Sequence, residues 1–91
     1  MKVEFLEQEA SFKIFYIVHV SGEWHELRDC ANWIKRNFGT ETNGGYLIRY
    51  LENGRMQTEK DFYTKYSHRK YLHIRFNNEE NAMAFKLAFE E

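Results

Sequence analysis

Four histidines (His19, His25, His68 and His73), one cysteine (Cys30) and scattered acids are the side chains of this 91-residue chain that could do chemistry. His19 and His73 each stand at an alternating position of an apolar run. They would meet on one sheet face if their strands were neighbours, and two imidazoles with a carboxylate can hold zinc. No His-x-x-x-His or His-Glu-x-x-His spacing accompanies them, so no metal is expected. Cys30 and His25 are five residues apart in a helical stretch, which sets their side chains about 140° apart and rules out a nucleophile–base pair there. Gly44-Gly45 lacks the Lys and Ser/Thr of a phosphate loop. The expectation is a protein that is not an enzyme, with no catalytic residue, no cofactor and no small-molecule substrate.

Binding chemistry is better represented. Lys60 to Arg75 carries five basic residues (Lys60, Lys65, Arg69, Lys70, Arg75) against the single acid Asp61, in a chain whose formal net charge is -1. Phe62, Tyr63, Tyr66 and Tyr71 are interleaved with them. Cations that neutralise phosphates beside rings that stack on bases are the means of holding single strands, at about 1–3 kcal/mol per stacked base. Lys65, Arg69, Tyr71, His73 and Arg75 are therefore a candidate nucleic-acid surface. The plainer reading is a solvated strand kept from aggregating by its lysines. A competing candidate is apolar. Trp33 lies about 140° from the centre of its helix's apolar stripe, and Met83 with Leu87 about 160° from theirs. Those three residues are expected to form a partner-binding patch, for a protein partner or for a homodimer, unless the N-terminal segment or the 40–45 loop folds over Trp33. Partner binding or self-association by a small regulatory protein is the first reading, and single-stranded nucleic acid the alternative.

The elements that must position these residues follow from periodicity. Phe12–Val20 alternates with Phe12, Ile14, Tyr16, Val18 and Val20 on one face and Lys13, Phe15, Ile17 and His19 on the other, which predicts a central strand apolar on both sides. Val3–Leu6 reads as a short edge strand before it. Between Ser21 and Gly39 the period becomes 3.6, with Trp24, Leu27, Ala31, Ile34 and Phe38 on one stripe, Glu23 and Glu26 at the positive end of the dipole and Lys35 and Arg36 at the negative end. Thr40 to Gly45 reads as a loop. Asn53-Gly54 between alternating arms predicts a type I′ hairpin, with Glu52 and Arg55 paired across it. Lys70–Phe76 is a strand with Leu72, Ile74 and Phe76 on one face and Tyr71, His73 and Arg75 on the other. Asn77 or Asn78 caps a closing helix, Asn77 having capping-box spacing to Glu80, and Ala82, Phe85 and Phe89 share its inner face.

The order is β-α-β-β-α, with a possible extra N-terminal strand, and residues 1–91 are read as one α+β domain. It is a small two-layer sandwich of ferredoxin-like character, an antiparallel sheet with two helices on one face. The composition, 43% hydrophobic and 30% charged, excludes both a disordered and a membrane-embedded chain. A single cysteine excludes an internal disulfide and points to a reducing, cytoplasmic setting. Glu4, Glu7 and Glu9 interrupt any signal-peptide pattern, so no membrane partner is expected.

Two resemblances add to this. Arg69-Lys70-Tyr71-Leu72-His73-Ile74-Arg75-Phe76, followed by an alanine-containing helix, resembles the third-strand octapeptide of an RNA-recognition motif. The resemblance implies that Tyr71 and His73 stack on bases while Ile74 and Phe76 belong to the core. Lys70 and Leu72 stand where that family prefers Gly and a small residue, and the Gly-Asn-Leu ending of its first strand is absent. Phe76-Asn77-Asn78-Glu79-Glu80-Asn81-Ala82-Met83-Ala84-Phe85-Lys86-Leu87 is similar to the strand-turn-helix endings of small uncharacterised bacteriophage proteins, which implies a viral accessory protein acting on a host component.

Overall fold

The computed structural model describes residues 1–10, 13–64 and 69–89. Strands β1 (Lys2–Ala10) and β2 (Lys13–Ser21) precede helix α1 (Trp24–Phe38) and the single turn α2 (Glu41–Gly44). Strands β3 (Tyr46–Glu52) and β4 (Arg55–Gln57), helix α3 (Glu59–Thr64), strand β5 (Lys70–Phe76) and helix α4 (Glu79–Phe89) follow. The architecture is α+β. One five-stranded sheet has the order β1-β2-β5-β3-β4, and every neighbouring pair is antiparallel. The ferredoxin-like order is not confirmed: the last strand occupies the centre, with antiparallel partners on both sides.

Local chemistry explains most boundaries. Asn53 and Gly54 take φ of 53° and 78°, the positive pair that a type I′ turn requires, and Glu52 faces Arg55 as expected. At the start of α1 the Glu26 carboxylate accepts from the Glu23 amide at 3.0 Å. At its end Gly39 adopts φ 84° and its amide donates to the Lys35 carbonyl. The closing helix is capped by Asn78, whose Oδ1 accepts from the Asn81 amide at 2.8 Å, and not by Asn77. Three elements exceed the expectations. β1 is a nine-residue strand paired along its whole length with β2. The 40–45 segment winds into a turn whose Thr40 Oγ1 accepts from the Asn43 amide. Gln57 ends the second hairpin arm, and Thr58 starts α3 by accepting from the Asp61 amide at 3.1 Å.

The core lies between one sheet face and the helices. Val18, Val20, Tyr46, Ile48, Leu72, Ile74 and Phe76 pack with Leu27, Cys30, Ala31 and Ile34 of α1, Phe62 of α3, and Ala82 and Phe85 of α4. Two expectations for α1 are corrected. Trp24, placed on the inner stripe by spacing, is 52% exposed, whereas Cys30 is fully buried. With Cys30 in the stripe its centre turns towards Trp33, which is half-buried rather than solvent-facing. The indole packs edge-on against Phe38, Phe85 and Phe89 at 5.6–5.9 Å between ring centroids, a favoured aromatic geometry. It joins α1 to α4.

Asn78→Ala should lower stability by about 1 kcal/mol through loss of the cap, and Asn77→Ala should change it by less than half as much. Denaturant unfolding of the two variants would measure this. An equal loss in both would contradict the assignment of the cap.

Candidate functional site

Helices α1, α3 and α4 all contribute to the one core, so they cover a single face of the sheet. Alternation sends the remaining side chains to the other face, and the strand register arranges them in rows. Glu4, His19, His73 and Arg49 stand side by side across β1, β2, β5 and β3. Leu6, Ile17, Arg75 and Leu47 form the next row, and Lys2, Ser21, Tyr71 and Leu51 the row on the other side, with Met56 beyond Leu51.

The two central strands bring the histidines together. His19 Nε2 lies 2.9 Å from His73 Nδ1, so one ring donates and the other accepts. The His19 ring also lies 5.1 Å from Tyr71, tilted by 48°. Burial, then the neighbouring His19, Arg75 and Arg49, holds the His73 imidazole below its ordinary pKa, which favours the neutral ring. The Arg75 guanidinium carbon lies over the Phe15 ring, 4.7 Å from its centroid, and its buried Nε has no hydrogen-bond partner among the described residues. Arg49 is held at the sheet edge. It donates to the Ile48 carbonyl at 2.8 Å and pairs with Glu41 at 3.5 Å, while Glu41 accepts from the Ile48 amide at 2.9 Å. This ion pair occupies both backbone groups of Ile48 where β4 is too short to reach, and blunts the exposed edge.

The basic segment is thus divided by alternation. Tyr71, His73 and Arg75 reach the uncovered face together, and Arg69 is exposed beside Tyr71, along a shallow groove shared with Ser21 and Asn53. Lys70 points the other way. It is buried, donates to the Phe62 carbonyl and lies 5.5 Å from the Phe62 ring, so it anchors α3. Lys65 lies outside the described residues. His19, weighed from sequence only as a metal ligand beside His73, joins the cluster, and Arg49 and Phe15 join it without having been named for binding. The alternation of β2 and β3 put them on the right parity, but only the strand order makes them neighbours of β5.

The apolar candidates are not brought together. Trp33 is packed on the core side of α4, whereas Met83 (45% exposed) and Leu87 (79% exposed) point away from it. No group of three or more His, Cys, Asp or Glu among the described residues is arranged to hold a metal ion. No described helix is long and apolar enough to cross a membrane. Comparison of the chain with family models, curated proteins and solved structures finds no match.

The cysteine is inert by environment. Cys30 is fully buried, its thiol 3.6 Å from Met1 Sδ, and burial, with smaller contributions from Asp29 and Glu26, pushes its pKa up to about 12. A thiolate is the reactive form, so iodoacetamide at mildly alkaline pH should leave native Cys30 unmodified and label it only after unfolding. Labelling of the native protein at the rate of a free thiol would contradict this.

Proposed function

We propose that this protein is a non-catalytic binding module that holds single-stranded nucleic acid across its uncovered sheet face. The observation that carries the reading is the composition of that face. Phe15, His19, Tyr71 and His73 supply ring surface, and Arg49 and Arg75 supply charge, in adjacent rows of neighbouring strands. Rings accept any base by stacking, and guanidinium groups meet phosphates. The resemblance of residues 69–76 to an RNA-recognition motif supports the same assignment of Tyr71 and His73. The similarity to bacteriophage proteins makes a viral regulatory role in a reducing cytoplasm the fitting context.

A second reading keeps a protein partner or a second copy of the chain on α4. Met83 and Leu87, one helical turn apart and both exposed, favour it. Trp33 contributes nothing to it, being engaged between α1 and α4, and this reverses the order of the two readings reached from sequence.

Anisotropy of a labelled mixed-sequence RNA at about 50 and about 200 mM salt separates them. Contact with three phosphates, at a slope of about 0.7 each, should weaken binding about 20-fold over that range. Tyr71→Ala should cost about 1–3 kcal/mol, the value of one stacked base, and Leu87→Ser nothing. Absence of RNA binding, together with a dimer that Leu87→Ser dissolves, would move the site to α4.

A further inference from the structure

The hydrogen bond between His19 and His73 limits what this pair can offer a ligand. With both rings neutral, one proton lies between His19 Nε2 and His73 Nδ1, and one more remains on the two outward nitrogens, His19 Nδ1 and His73 Nε2. Whichever ring donates, the two remaining nitrogens, at opposite ends of the pair, are one donor and one acceptor. A single added proton makes both ends donors and leaves the shared hydrogen bond intact. A second added proton would break it. A phosphodiester is an anion that carries acceptors only, so the singly protonated pair, cationic and with a donor at each end, holds it more tightly than the neutral one.

We propose that the His19–His73 pair is the subsite that receives a backbone phosphate together with one proton, making nucleic-acid binding by this face proton-coupled. The inference rests on the nucleic-acid reading above and adds to it the contact and its condition.

The groups facing the pair fit this role. Glu4 from β1 stands opposite His19, Arg49 from β3 stands opposite His73, and Tyr71 and Arg75 flank His73 on β5. From the helices, Glu41 of α2 pairs with Arg49 at 3.5 Å, while α1, α3 and α4 pack against the opposite face. In the free protein, burial and the two arginines oppose the added proton. An incoming phosphate offsets the arginine charge and accepts from an N–H at one end of the pair, where its negative charge favours the cationic state, so the bound pair holds the proton at higher pH than the free pair. The sign follows from linkage: affinity rises as pH falls through the bound-state pKa and levels off below the free-state pKa.

The test is anisotropy of the same labelled RNA at constant ionic strength between about pH 8 and about pH 5, the range in which histidines titrate. The wild-type Kd should fall by up to about tenfold per pH unit, the limit for uptake of one proton. His19→Asn and His73→Asn should each flatten that dependence, and His25→Asn, on the distant α1, should preserve it. An oligomer of the same bases on an uncharged backbone should bind without the pH dependence. If a dyad variant unfolds, the ring signals of His73 in wild-type protein, titrated with and without RNA, report the same quantity, and its midpoint should move up on binding. RNA binding that ignores pH, or a pH dependence that His73→Asn leaves unchanged, would overturn the inference and leave the proposed function standing. No RNA binding at any pH would overturn both.

Discussion

Everything in this molecule depends on β5 being paired on both sides. A strand at the centre of a sheet must satisfy its amides and carbonyls with two neighbours, here β2 and β3, and its side chains must alternate strictly between two environments. Lys70, Leu72, Ile74 and Phe76 go to the helices and are buried, while Tyr71, His73 and Arg75 go to the opposite face and stay half-exposed. A one-residue slip would exchange the two sets, driving an arginine, a histidine and a tyrosine into the core. The burial of three large apolar side chains therefore fixes the position of the polar cluster.

The two sides of the sheet use their aromatic rings differently. On the covered side Trp33, Phe38, Phe76, Phe85 and Phe89 form a chain of tilted and edge-on contacts that joins α1, α4 and β5. A second group, Phe62 and Tyr63 of α3 with Tyr50 of β3, packs ring against ring where α3 meets the sheet. In a domain of this size, where little surface is buried, such rings supply much of the core. On the uncovered side the rings are paired with nitrogen: Phe15 with Arg75, and His19 with both Tyr71 and His73. Those contacts orient polar groups that stay half-exposed.

The sequence made the local elements legible. β5 has the boundaries that alternation indicates, the Asn53-Gly54 turn has the predicted handedness, and α1 lies within the stretch marked by its period and its terminal charges. What escaped was set by contacts remote along the chain. β1 reads from sequence as Val3–Leu6 with a turn through Gln8 to Ala10, and its full length comes from pairing with β2. Helix α3 was hidden inside a segment read for its charge, although Thr58 and Asp61 have capping spacing. Trp33 looked solvent-facing on a wheel centred by Trp24, and only α4 supplies the ring partners that enclose it. Of the candidate site, Tyr71, His73 and Arg75 were visible as one face of one strand, and the meeting of His19 with His73 was foreseen as conditional on strand order. Arg49 could not be found, because nothing local to β3 says that β5 lies beside it.

Solution NMR mapping of amide perturbations during titration with a short mixed-sequence RNA tests the central claim most directly. The account predicts that the largest shifts fall on Phe15, His19, Arg49, Tyr71, His73 and Arg75, spanning three strands but one face, with α4 unaffected. Shifts confined to the surroundings of Met83 and Leu87, or none at saturating RNA, would contradict it.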